Sequence, residues 1–382
     1  MSRIRDLRLV PVQYAMPAAD AYGMARGLTH VRGAGIVLLD TDDGVQGIGE
    51  AWGPPAITAA YLDLVRSYFV GRSVFAQRGI AQSILAKHYH FGTQNGLVAL
   101  LSGIDIAAHD AMGKLLGVPV CDLIGGRQRD RVPVYASGGY FTRADDQDAA
   151  LAAQLEPLVG RGFGAYKIKI GRHPREDAAR AALARRIIGD DALLTVDING
   201  NYTLDIVLES LRRMAVSDIH WVEEPLAPQD WAGYRELAAR TPTPVATGEA
   251  LYTLFDFRRL IDGRLAAVVQ PDLALCGGLD TARTIGVLCA AEHLRVSPHV
   301  WGTGIGLAAA VHWVASLPGY PHAENVPYPP LVEYDVGRNP LQHELFETPL
   351  RYADGHLDVP TGPGLGITLD QAALKRFAAE AA

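Results

Sequence analysis

The sequence of 382 residues has little cysteine, no run of basic residues and no apolar stretch long enough to span a membrane. Each shortage excludes a class of protein. Cys121, Cys276 and Cys289 are odd in number and lack paired metal-type spacing, which argues against a disulfide framework and fits a reducing compartment. A net charge of −7 with no basic cluster leaves no footprint for nucleic acid or for anionic lipid. The opening residues Met1-Ser2-Arg3-Ile4-Arg5-Asp6 carry no charged head followed by an apolar core, so the chain is read as cytoplasmic. A small molecule is the expected partner. The apolar content of 49% allows extensive subunit contacts, and a homo-oligomer is expected.

The length suits two domains, one of barrel size, about 250 residues, and one of about 100. Up to residue 130 the pattern is a strand meander followed by helices. Strands are expected at Ile4 to Val12, Gly35 to Asp40 and, after the turn Asp42-Asp43-Gly44, Val45 to Glu50. Helical spacing of Leu97, Leu100, Leu101, Ile104 and Ala108 predicts a helix from Asn95 to Leu116, stopped by Gly117-Val118-Pro119. The polar stretch Gly125 to Asp130 marks a boundary. From 131 to 330 strand and helix alternate, with Ala-rich helices between short apolar strands, the pattern of a barrel of parallel strands. Residues 331–382, rich in proline near their start, are expected to be a C-terminal segment packing back on the first domain.

Within the barrel region each strand ends on a polar residue. Asp197, Glu223, Glu249, Asp272 and His299 recur at intervals of roughly 23 to 27 residues, with Lys167 and Lys169 about one interval upstream. One strand, a helix and two loops fill that interval, and such barrels carry their chemistry at the C-terminal ends of the strands. A single acidic residue there could cap a helix or pair with arginine. Three in step, Asp197, Glu223 and Glu249, with no Cys or His beside them, offer hard oxygen ligands suited to magnesium. Lys167 and Lys169 flank Ile168 and so project to one side of their strand. A second ammonium and a nearby cation would both lower the proton affinity of Lys169, as a general base requires. Asp272 can hold His299 in one tautomer, and the pair is expected across the mouth from Lys169. His88 and His90 could reach in from the first domain but read mainly as surface residues. Together these groups suit loss of the proton α to a carboxylate, with the resulting enediolate stabilised by magnesium and a lysine.

The motifs Lys167-Ile168-Lys169, Val196-Asp197-Ile198-Asn199, Val222-Glu223-Glu224-Pro225, Thr247-Gly248-Glu249, Gln270-Pro271-Asp272 and Pro298-His299, in this order, resemble the mandelate racemase subgroup of the enolase superfamily. The resemblance covers essentially the whole chain, including Gly362 to Gly366. It implies an α/β fold, a modified TIM barrel of (β/α)7β form with an N-terminal α+β capping domain. It further implies Mg2+ held by Asp197, Glu223 and Glu249, with Lys169 and the Asp272/His299 pair as the two acid/base groups. Lys167 would support Lys169 and contact the substrate carboxylate; Asn199, Trp301 and Glu324 are further substrate-binding candidates. Glu324 would be the counterpart of a glutamate on the last strand. Specificity would come from capping loops at Met16 to His30 and Glu50 to Pro55. The segments from Asp272 to Gly278 and from Pro298 to Gly304 are similar to enzymes of acid sugars and their lactones, notably galactarolactone cycloisomerases. The reading is therefore β-elimination in an acid sugar or lactone, by a cycloisomerase or dehydratase. The alternatives are a racemase or epimerase at the same carbon, a Schiff-base aldolase through Lys167 or Lys169, and a catalytically silent binding or regulatory homologue. The last would lack a ligand or base, and none is missing.

Overall fold

The computed structural model describes residues 2–318 and 327–379. Strands Ile4–Ala15, Val31–Thr41 and Gln46–Ala51 form an antiparallel sheet with Val31–Thr41 in the middle, in register at Leu7 with Leu39 and at Leu38 with Ile48. Helices Pro55–Phe69, Gln77–Lys87 and Gly96–Leu116 cover it. The longest of these starts where Asn95 accepts a hydrogen bond from the Leu97 N–H at 2.9 Å and ends at Gly117 in the left-handed region. It lies so close to the sheet that a Cβ on Gly47 would sit 2.0 Å from the Ala107 carbonyl oxygen, and one on Gly49 2.0 Å from that of Gly103. Only glycine allows this approach, and the approach sets Glu50 beside the barrel.

Eight parallel strands make the barrel: β1 (Arg131–Ser137), β2 (Ala165–Lys169), β3 (Leu193–Asp197), β4 (Ile219–Glu223), β5 (Val245–Thr247), β6 (Val268–Val269), β7 (Arg295–Val296) and β8 (Val332–Asp335). Between them lie α1 (Gln147–Leu155), α2 (Pro174–Ile188), α3 (Leu204–Met214), α4 (Trp231–Arg240), α5 (Thr253–Asp262), α6 (Gly278–Ala291) and α7 (Gly304–Ser316). This is the (β/α)7β arrangement. The strands are apolar and buried on both faces, as a parallel sheet covered by helices requires. β8 pairs in parallel with β1, and the Ser297 hydroxyl donates to the Leu331 carbonyl at 2.7 Å across the β7–β8 side.

One boundary differs from the sequence reading. The C-terminal segment expected from 331 begins instead with β8, whose apolar alternation is hidden behind the proline-rich stretch before it. Beyond β8, the hairpin Tyr352–Ala353 and His356–Asp358 pairs with the start of β1, and the Leu365 N–H donates to the buried Asp110 carboxylate of the long cap helix. Cap and barrel also join where Asp105 accepts from the Asp280 N–H at the start of α6 and from the Gln77 amide. Among the described residues no helix is long and apolar enough to cross a membrane.

Candidate active site

Strand register builds the site. Lys169 is level with Asp197, Asp197 with Glu223, and Asp272 with His299, so these side chains meet at the C-terminal ends of β2, β3 and β4 and of the short segments after β6 and β7. One carboxylate oxygen from each of Asp197, Glu223 and Glu249 lies within 4.8 Å of the others. Backbone turns out of the strands immediately afterwards: Asn199 (φ 50°) and Glu224 (φ 37°) adopt the left-handed region, a strained choice for residues with side chains. The payoff at Asn199 is local, since its N–H and amide donate to Asp197 at 2.8 and 3.1 Å.

Beneath the triad lies an ionic floor. Lys167, 1% exposed, pairs with Glu223, with Glu333 at 2.7 Å and with Asp197 at 3.8 Å, above the Tyr135 ring. Burial opposes its charge, but Glu223, Glu333, Tyr135 and Asp197 together outweigh burial and hold its pKa well above the usual lysine value. Glu223 is gripped on its other oxygen by the Gln270 amide at 2.8 Å and the Trp221 indole N–H at 3.3 Å. The Lys167 ammonium thus meets three carboxylates at once. Lys169 touches Asp197 at 2.5 Å. Burial and Lys167 lower its proton affinity, in the expected sense, but Asp197 outweighs them and its pKa is raised.

On the other edge, His299 Nδ1 is 2.7 Å from Asp272, whose second oxygen accepts from the Ala274 N–H at 2.7 Å. That fixes Nδ1–H toward Asp272 and turns Nε2 to the site, 3.6 Å from Glu249 and 3.8 Å from Glu333. Burial disfavours the imidazolium, yet Glu249, Glu333 and Asp272 raise its pKa to about 10. Glu333 is the residue that the sequence reading missed. Its oxygens take the Ser137 hydroxyl at 2.6 Å, the Lys167 ammonium and the Val300 N–H at 3.0 Å. Burial raises its proton affinity, but Lys167, His299 and Lys169 prevail and bring its pKa to about 2. Glu324 lies outside the described residues, and the carboxylate that the last strand brings to the site is Glu333. The signal was the run Leu331-Val332-Glu333-Tyr334-Asp335, a strand whose polar residue follows His299 by 34 positions, too long for the interval that marks the others.

Trp301 stands at the rim, its ring near those of Tyr22 (6.0 Å) and Tyr140 (5.9 Å). Glu50 holds the start of α7 by accepting from the N–H groups of Thr303 and Gly306 and from the Thr303 hydroxyl, which steadies the segment after His299. His88 stacks on Phe91 at 5.3 Å, and His90 is exposed.

The donor set fits a divalent hard cation. One oxygen of Glu249 is buried without a hydrogen-bond partner, and the three converging groups are all carboxylates. Among the described residues the carboxylates at this site, Asp197, Glu223, Glu224, Glu249, Asp272 and Glu333, outnumber the cationic groups Lys167, Lys169 and His299, an excess of negative charge that a divalent cation would offset. Burial and the neighbouring carboxylates push the Glu223 pKa up to about 8 despite Lys167.

A capped barrel with acid/base groups flanking a carboxylate triad defines a class of metal-assisted lyases and isomerases. The sequence profile "Mandelate racemase / muconate lactonizing enzyme, N-terminal domain" matches residues 7–125, and "Enolase C-terminal domain-like" matches 150–373. The chain therefore belongs to the mandelate racemase/muconate lactonizing enzyme family of the enolase superfamily, and it is an enzyme of that family. It is 34% identical to a D-galactarolactone cycloisomerase from Agrobacterium fabrum, over 90% of both chains, and 29% identical to an arabinonate dehydratase from Saccharolobus solfataricus, over 89% of both. A 3,6-anhydro-D-galactonate cycloisomerase structure from Zobellia galactanivorans superposes with a TM-score of 0.88 at 30% identity, covering 98% of this chain and 99% of that one. A racemase from Streptomyces coelicolor, solved with bound magnesium, gives 0.86 at 27%, covering 98% and 99%.

Proposed function

We propose that this enzyme removes the proton α to the carboxylate of an acid sugar or its lactone and then expels a β-oxygen, as a cycloisomerase or dehydratase. The observation that carries the reading is the placement of Lys169 and the Asp272–His299 pair at opposite edges of the triad Asp197, Glu223 and Glu249. The cycloisomerase and dehydratase relatives support the substrate class. Asp197, Glu223 and Glu249 would hold magnesium, which when bound supplies positive charge where the substrate carboxylate becomes more negative.

The chain's own groups move the protons. One of Lys169 Nζ and His299 Nε2, in its unprotonated form, takes the α-proton, and the C–H electron pair spreads into the carboxylate as an enediolate. Return of that pair forms a C=C bond and breaks the C–O bond at the β-carbon. In a hydroxy acid the other group protonates the departing oxygen to give water. In a lactone the ring oxygen leaves as a carboxylate and needs no proton. The enol so formed takes a proton at the former β-carbon and gives up its hydroxyl proton, becoming a 2-oxo-3-deoxy acid. Glu333, with Lys167 beside it, supports the charge and position of both acid/base groups.

Incubation with a panel of aldonic acids, aldaric acids and their lactones should form a 2-oxo acid in magnesium buffer; unchanged formation in excess chelator would sink the proposal. A racemase or epimerase remains the second reading, because two acid/base groups at opposite edges could also remove a proton on one face and return it on the other. Its mark is solvent deuterium in recovered substrate, with both epimers present and no 2-oxo acid.

A further inference from the structure

We propose that Arg32 is a positioning residue that holds the cap loop 16–30 and the Trp301 ring in place over the His299 side of the barrel mouth. Its consequence for turnover rests on the reading of Lys169 and His299 as the reacting groups. Arg32 lies at the base of that loop, whose neck is closed by the Met16 N–H on the His30 carbonyl at 2.7 Å. The Arg32 guanidinium carbon is 4.5 Å from the Tyr22 ring, on the loop, and 4.6 Å from the Trp301 ring, two residues beyond His299. Its Nη1 pairs at 2.5 Å with Asp335, two residues beyond Glu333 on β8. One side chain thus joins the loop to both strands that bring His299 and Glu333 to the mouth.

The loop is anchored at two other points around the same mouth. Tyr22–Met24 and Gly27–Thr29 form a hairpin that pairs with Phe141–Thr142 after β1, and Arg26 reaches the Asn199 carbonyl at 3.4 Å. Tyr140 backs the assembly, its hydroxyl donating to Asp335 at 2.9 Å and its ring 5.0 Å from Tyr22. A bare ion pair buried this deeply adds little to stability, so the pair alone does not account for an arginine here. The stacked plane does: it is the feature that lysine cannot reproduce. Asp335 keeps donors without Arg32, from Tyr140, from the Gly337 N–H at 2.9 Å and from Asn339 at 3.3 Å, so substitution leaves it hydrogen-bonded.

The test is amide hydrogen exchange of the full chain, with no substrate needed, on wild type, Arg32→Lys and Arg32→Met. Exchange across residues 22–29 should rise about tenfold in both variants while that of the helix Gly96–Leu116 holds steady, because the guanidinium plane that ties the loop's Tyr22 to the barrel-side Trp301 is lost. Exchange within about twofold of wild type in both would overturn the proposal. Should either variant fail to fold, Trp301→Leu removes the barrel-side ring and must give the same loop response. With a turned-over acid sugar in hand, the Arg32 variants should raise KM more than they lower kcat; a loosened loop with an unchanged KM would also overturn the positioning role. If no acid sugar is turned over, the functional reading fails while the exchange result still decides the anchor.

Discussion

Replacing Lys167 with methionine removes the ammonium shared by Glu223, Glu333 and Asp197, all at 1% exposure or less. Methionine fills a similar volume, so the loss is electrostatic rather than a cavity. All three carboxylates keep other donors: Glu223 has Gln270 and Trp221, Glu333 has Ser137 and Val300, and Asp197 has Lys169 and Asn199. Taking one partner from a buried ion pair costs about 3–5 kcal/mol, and those donors place this case toward about 3. Against a total stability of about 5–15 kcal/mol that is a large share. Urea unfolding in excess chelator reads it, so that no bound cation offsets the loss. With m near 3 kcal/mol/M or above, the midpoint should fall by about 1 M at unchanged m. Adding Glu333→Gln to Lys167→Met should recover part of the deficit, since it removes one of the stranded charges. A Lys167→Met midpoint within about 0.2 M of wild type would refute the ionic-floor argument.

Two further outcomes follow from other parts of the chain. His312 is buried, accepts from the Cys121 N–H and lies 3.1 Å from the Leu365 carbonyl; burial brings its pKa down to about 4 from 6.5. A depressed imidazole favours folding above pH 6.5, and that contribution is lost as pH falls toward 4, up to about 3 kcal/mol. Stability of His312→Gln should therefore decline less over that window in urea titrations, and an identical slope would contradict the assignment. Glu333→Gln should lower kcat by about 10²–10³ with the magnesium-induced rise in Tm retained, because it alters charge at the reacting groups without removing a triad carboxylate. Wild-type kcat in that variant would remove Glu333 from the site's chemistry.

Much of this site was legible because barrel geometry is written along the chain. Asp197, Glu223, Asp272 and His299 each close an apolar run, and a parallel strand buried on both faces turns such a run into a fixed position at the mouth. Glu249 comes two residues after β5, with the left-handed Gly248 turning the backbone, and still keeps the interval. Glu333 broke the interval because the connection from α7 to β8 is long and proline-rich, so that a nearer glutamate, Glu324, took its place in the sequence reading. The occupation of Lys167 by Glu333 was hidden for the same reason. Arg32, Tyr22 and Asp335 were silent: three residues from separate stretches meet only through tertiary packing, and no periodicity marks an arginine between two rings. In the cap, Glu50 read as the end of a strand and the start of a specificity loop; its grip on the start of α7 depends on glycines that let sheet and helix touch.

The placement of Lys169 and His299 as separate acid/base groups is tested most directly by following exchange of the substrate α-proton in deuterated water with wild type, Lys169→Ala and His299→Ala. With a hydroxy acid as substrate, the account predicts that both variants lose product formation by about 10²-fold or more, while only one of them, the variant keeping the abstracting base, still exchanges the α-proton. Product formation at the wild-type rate in both variants would contradict it.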